Sequence, residues 1–98
     1  MKVGIIGAGA IVESSHIPVL KVLPNISIEW VYDRDANRSD LISKMFQVPV
    51  WKGGNILDAI DNIDICLITI PYGARREYIE HCAIKKKALY VEKPFAVS

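Results

Sequence analysis

Apolar positions along this chain alternate between two rhythms, one of short continuous runs and one of helical stripes. Lys2 to Ile6 is short, apolar and followed by glycines, which predicts a strand. From Ala10 to Leu23, Ile11, Val12, Val19, Leu20 and Leu23 recur at helical spacing. Pro18 lies inside that pattern and predicts a kink or restart, and Pro24-Asn25 predicts its end. Ile26 to Tyr32 alternates through Ile26, Ile28, Trp30 and Tyr32, with Val31 added, as a second strand would. Asp35 to Phe46 predicts a second helix with Leu41, Ile42, Met45 and Phe46 on its apolar face. Val48 to Trp51 predicts a short third strand, placed at an edge by Pro49. Gly53-Gly54-Asn55 is a turn, and Ile56, Leu57 and Ile60 mark a short third helix. Ile63 to Ile70 is nearly all apolar, as a strand buried on both faces should be. Pro71-Tyr72-Gly73 breaks it. Ala74 to Lys87 predicts a fourth helix burying Tyr78, Ile79, Cys82 and Ala83, and Ala88 to Val91 a fifth strand.

Strands alternating with helices in this way predict an α/β fold: a doubly wound parallel sheet with right-handed crossovers, its five strands in the order 3-2-1-4-5. With 98 residues there is room for one domain at most. The twelve Lys and Arg against eleven Asp and Glu leave a net charge of +1 and no broad cationic field, so neither nucleic acid nor an anionic membrane is an expected partner. No apolar run approaches the ~18 residues of a spanning helix, and Met1-Lys2 leads into no signal-peptide core. Cys66 and Cys82 sit within apolar patterns and at no metal-ligand spacing. They read as reduced packing residues of a cytoplasmic protein.

Candidate chemistry gathers after the predicted strands. Gly7-Ala8-Gly9-Ala10-Ile11-Val12 follows the first strand and opens a helix. In a dinucleotide fingerprint the first glycine makes a tight turn, the second lets backbone approach a pyrophosphate, and a third small residue lets helix and strand pack closely. The helix N-terminus then offers N–H groups and a positive dipole end to the phosphates. Val12 occupies the third position and is expected to push the helix outward. Asp33 ends the second strand, where a carboxylate can accept both ribose hydroxyls of adenosine. It could instead cap the following helix, but Asp35 or Asn37 can take that role, which favours Asp33 for the cofactor. Its charge would repel a 2′-phosphate and so favours NAD over NADP, while Arg34 beside it could hold such a phosphate.

Ile70-Pro71-Tyr72 ends the fourth strand on the same rim, with Tyr72 able to pack on a nicotinamide or ribose, although such a tyrosine more often packs on its own helix. Glu92-Lys93-Pro94 follows the fifth strand. By composition alone it is a solvated charged turn. Lys85-Lys86-Lys87 reads as dipole complementation at a helix C-terminus. His16 reads as a partly buried structural residue without metal-spaced partners, and His81 as a helix-surface residue.

Val3-Gly4-Ile5-Ile6-Gly7-Ala8-Gly9, His16-Ile17-Pro18, Tyr32-Asp33-Arg34-Asp35, Ile63-Asp64-Ile65 and Val91-Glu92-Lys93-Pro94-Phe95 together resemble the N-terminal half of the Gfo/Idh/MocA oxidoreductases. The resemblance covers the whole chain, and its most specific element is the Glu-Lys-Pro tripeptide at its distance from the glycine loop. It implies a Rossmann domain that binds NAD or NADP in an enzyme oxidising or reducing a carbon of a sugar or polyol. It also implies that Lys93 lies near the reacting carbon and the nicotinamide, and that Glu92 contacts the nicotinamide ribose region. Gly7, Gly9, Ala10, Ile11, Asp33, Arg34, Ile70, Pro71 and Tyr72 complete the implied cofactor set. Val12, Ile70 and Arg75 depart from the family pattern, where a small residue, a threonine and a histidine are common.

The family's further strand, and its second domain with substrate contacts and a catalytic histidine, are absent from these 98 residues. The expected function is therefore the nucleotide-binding part of an NAD(P)-dependent sugar or polyol oxidoreductase, inactive by itself. A non-catalytic dinucleotide sensor would keep the glycine loop and Asp33 but would not need Lys93. An S-adenosylmethionine methyltransferase fits the loop and the Glu-Lys-Pro rim poorly. The uncovered fifth strand, beside Phe95 and Val97, predicts a homo-oligomer.

Overall fold

The computed structural model describes residues 1–70 and 75–91. Four parallel strands form one sheet in the order β2-β1-β3-β4: β1 is Lys2–Ile6, β2 Ser27–Tyr32, β3 Ile65–Ile68 and β4 Ala88–Val91. The central pair β1 and β3 run in register from Val3 opposite Ile65 to Ile6 opposite Ile68. Between β1 and β2 the register shifts after Val3, so that Gly4 faces Trp30. Gly4 has to be glycine there, because a Cβ would run into the Trp30 indole.

The predicted third strand is the main correction to the fold. Val48–Trp51 contributes a single parallel bridge, Val50 beside Val31, held by Val31 N–H to Pro49 O at 2.9 Å and Trp51 N–H to Val31 O at 3.0 Å. Its place at the outer edge of β2 is the one expected, but Pro49 has no N–H with which to extend a ladder. Five strands thus become four and a bridge.

Side chains alternate across the sheet and feed two cores. On one face Val3, Ile5, Val31 and Leu67 bury with Ala8, Val12, Ile17, Ile42 and Val48. On the other, Ile6, Trp30, Cys66 and Ile68 bury with Ile56, Ala59, Ile60, Ile63, Tyr78 and Cys82. The first core is covered by α1 (Ile17–Val22) and α2 (Ala36–Phe46), and the second by α3 (Ile56–Ile60) and α4 (Arg76–Ile84). Burial on both faces explains why the central strands read as apolar runs and not as alternating ones.

The first predicted helix is wound as a π-helix over Val12–His16 before α1 begins. Ile17 N–H donates to Val12 O, five residues back, so the wide turn leads straight into α1, where Pro18 stands at the start with no N–H to give to the turn before it. Val12 is fully buried inside the wider turn, which gives the larger side chain room.

Two helical faces differ from expectation. In α2, Ile42 is buried and Phe46 half-buried, but Leu41 and Met45 are exposed, and Ser39 is buried in their stead with its hydroxyl on Ala36 O at 3.1 Å. In α4, Tyr78 and Cys82 are buried but Ala83 is exposed. That helix ends at Ile84, with Lys86 left-handed at φ 57°. Among the lysines that follow, Lys87 donates to Asp61 O at 3.1 Å and Lys85 lies 3.9 Å from the Asp61 carboxylate. His81, its side chain mostly buried, is 3.3 Å from the same carboxylate.

Candidate dinucleotide site at the carboxyl rim

All four strands run the same way, so their carboxyl ends share one rim. Gly7 leaves β1 at φ +113°, a conformation that suits glycine, and donates its N–H to Tyr32 O at 2.7 Å. Thr69, just after β3, donates its N–H to Ile6 O at 2.9 Å. Its hydroxyl and the Ile70 side chain close over Gly7 so tightly that a Cβ could not fit. Gly9 differs: it is exposed, and a Cβ there would meet nothing within 4 Å. Ala10 is exposed beside it and Ile11 half-buried. Glu13 N–H to Gly9 O, at 3.2 Å, is the first backbone bond of the helix that follows. The N–H groups ahead of it are the donors a helix cannot satisfy internally.

Asp33 is half-buried at the end of β2 and reaches back to this loop. Its Oδ2 accepts the Ala8 N–H at 2.7 Å, and its Oδ1 accepts the Asp35 N–H at 2.8 Å. Asp35, and not Asp33 or Asn37, caps α2, accepting the Asn37 N–H at 3.0 Å. Arg34 is exposed. Its charge partly offsets the rise that burial, with Tyr32 and Glu77, imposes on the Tyr78 phenol.

The structure thus brings Gly7, Gly9, Ala10, Ile11, Asp33 and Ile70 to one place. Pro71, Tyr72, Glu92 and Lys93 lie outside the described residues, as does the tail at 94–98. Two residues at the rim go beyond the sequence motifs. Thr69 covers Gly7, and its place at a strand's carboxyl end is the one signal the sequence carries for it. Arg38, from the first turn of α2, donates Nε to Ala8 O at 2.8 Å and Nη2 to Glu13 Oε1 at 3.1 Å. Among the described residues no cluster of His, Cys, Asp or Glu could hold a metal ion, and no helix is long and apolar enough to cross a membrane.

A parallel sheet covered on both faces, with a glycine turn at the carboxyl end of its first strand, is the frame of a Rossmann-type nucleotide-binding domain. The chain belongs to the Gfo/Idh/MocA oxidoreductase family, whose NAD-binding Rossmann-fold model matches residues 1–98. A curated relative, the dTDP-3,4-didehydro-2,6-dideoxy-alpha-D-glucose 3-reductase of Streptomyces antibioticus, is 24% identical over 98 residues, covering 100% of this chain and 30% of the reductase. Among solved structures, a 3-ketoreductase from Actinomadura kijaniata in complex with NADP and TDP-benzene is similar at a TM-score of 0.80 and 21% identity, over 96% of this chain and 29% of that one. A dehydrogenase from Clostridium difficile is similar at 0.82 and 17% identity, over 100% of this chain and 32% of that one. These likenesses are to the fold. The chain spans about 30% of the curated relative's length.

Proposed function

We propose that this chain is the dinucleotide-binding part of an NAD(P)-dependent oxidoreductase acting on a carbon of a sugar or polyol. The observation that carries the reading is the meeting of glycine turn and Asp33 at the carboxyl ends of β1 and β2, with Ala8 N–H on Asp33 Oδ2. The open space at Gly9 fits a phosphate, since a side chain there would fill the very volume a pyrophosphate needs. In this reading Gly7 shapes the turn and Gly9, Ala10 and Ile11 present N–H groups to the pyrophosphate. Asp33 keeps lone pairs on both oxygens for ribose hydroxyls, since each has accepted one N–H.

The nicotinamide supplies the hydride chemistry when bound, and the protein's part is to hold cofactor and substrate in register. Ile70, Pro71 and Tyr72 would flank the nicotinamide side. Glu92 would contact the nicotinamide ribose, and Lys93 would orient or polarise the substrate oxygen; both assignments come from the family resemblance. The fixed negative charge of Asp33 supports NAD over NADP, with Arg34 as the opposing group. In this reading, by the family resemblance, the substrate contacts and the acid/base partner would come from outside residues 1–98. On that reading, the chain by itself binds dinucleotide without turnover and works in a cytoplasmic homo-oligomer.

Calorimetric titration with NAD, NADP and S-adenosylmethionine tests the proposal. Saturable NAD binding that Gly9→Ala weakens supports it. No dinucleotide binding, or preferential binding of S-adenosylmethionine, refutes it.

A further inference from the structure

We propose that Arg38 is a positioning residue for the dinucleotide loop, holding the Ala8 peptide and the Glu13 carboxylate so that the N–H groups from Gly9 onward face the phosphates. The inference rests on the dinucleotide reading of the site and adds to it a residue outside the glycine fingerprint.

Ala8 is gripped on both sides by one short stretch of chain, the end of β2 and the start of α2. Its N–H goes to Asp33 Oδ2 at 2.7 Å, and its carbonyl accepts from Arg38 Nε at 2.8 Å. Gly7 N–H is meanwhile held by Tyr32 O at 2.7 Å. The loop therefore has little freedom at Gly7 and Ala8, while Gly9 and Ala10 stay exposed. A phosphate approaching this turn meets donors from Gly9 onward, because the Ala8 N–H is already engaged by Asp33.

The second arm of Arg38 has an electrostatic role. Glu13 lies in the first turn after the loop, at the end of the helix where an anion would bind. An unpaired carboxylate there would oppose a pyrophosphate. Arg38 Nη2 binds it at 3.1 Å, with both side chains about one-third exposed, and so draws that charge away from the loop. A planar guanidinium can serve a carbonyl and a carboxylate at once from fixed N–H directions. A lysine ammonium has the charge but not the fork.

The test compares Arg38→Ala, Arg38→Lys and Arg38→Ala/Glu13→Gln with the native chain, by calorimetric titration of NAD and by amide hydrogen exchange. Arg38→Ala is expected to weaken NAD binding about tenfold or more, the scale of a lost charge-assisted hydrogen bond. Arg38→Lys should fall between, and Glu13→Gln should recover part of the loss by removing the unpaired carboxylate. Ala8 N–H should exchange faster in Arg38→Ala, while the β1 and β3 amides keep their protection. A role confined to general stability would instead raise exchange across the sheet. If Arg38→Ala is too unstable to measure, Arg38→Lys decides: native affinity and native Ala8 exchange overturn the proposal. If the native chain binds no dinucleotide, the reading of the site fails, and Ala8 exchange alone then decides whether Arg38 holds the loop.

Discussion

Thr69 stands over Gly7 so closely that its hydroxyl occupies the space a Cβ at Gly7 would need. Thr69 is held there by two bonds to the residue before Gly7, its N–H on Ile6 O at 2.9 Å and its hydroxyl on the same oxygen at 3.3 Å. Gly7→Ala therefore meets a backbone at φ +113° and a steric clash together. We expect it to destabilise the fold by about 2 kcal/mol or more, the joint cost of strain and overpacking. Gly9→Ala meets neither obstacle. It should leave thermal stability within about 0.5 kcal/mol, as surface substitutions usually do, while weakening NAD binding strongly. Melting curves and titrations on the two variants check this; a Gly9→Ala variant with native affinity would remove the pyrophosphate from that position.

Asp33 serves the loop and, in the proposed function, the ribose. Asp33→Ala loses the acceptors for Ala8 and Asp35 and should cost both stability and NAD affinity. Asp33→Asn keeps one acceptor oxygen and removes the charge. It should narrow the preference for NAD over NADP, read as the ratio of the two dissociation constants. Native chain that binds NADP as tightly as NAD would mean that Arg34 outweighs Asp33.

Burial raises the thiol pKa values of Cys66 and Cys82, and burial first raises that of the Tyr78 phenol. All three protons are therefore held more tightly in the folded chain than in the unfolded one. Their stabilising contribution is complete below the unfolded thiol pKa, about 8.5, and is lost as pH rises above it. Urea unfolding at pH 7, 9 and 10 should show stability falling across that range. A Cys66→Ala/Cys82→Ala variant should start lower at pH 7 but fall less steeply. Parallel slopes for the two proteins would show that the thiols are not the groups responsible.

Strand β4 pairs with β3 along one side, and its Leu89 and Tyr90 are exposed. A groove of about 370 Å³ runs between α1 and this half of the sheet, lined by Val19, Leu20, Ile65, Leu67 and Tyr90 among others. Exposed apolar surface beside a strand edge favours association. We expect a dimer at micromolar concentration in analytical ultracentrifugation, abolished by Leu89→Lys. A monomeric native chain would count against this edge as an interface.

The pattern of the sequence determined the order of strands and helices, because strands buried on both faces need continuous apolar runs and the amphipathic helices that cover them need a stripe. It also located the glycine turn and Asp33, since a turn after the first strand and an acid after the second must share a rim when the strands are parallel. Local pattern left other choices open. Leu41, Ile42, Met45 and Phe46 span a stripe wide enough to turn either way, and packing on the sheet selected Ile42 and Phe46 over Leu41 and Met45. Whether Val48–Trp51 became a strand depended on a proline meeting a neighbour's hydrogen-bonding edge, and it ended as one bridge. Arg38 carries no local mark of its role, because the carbonyl it binds lies 30 residues earlier in the chain and comes within reach only when β1, β2 and α2 have assembled.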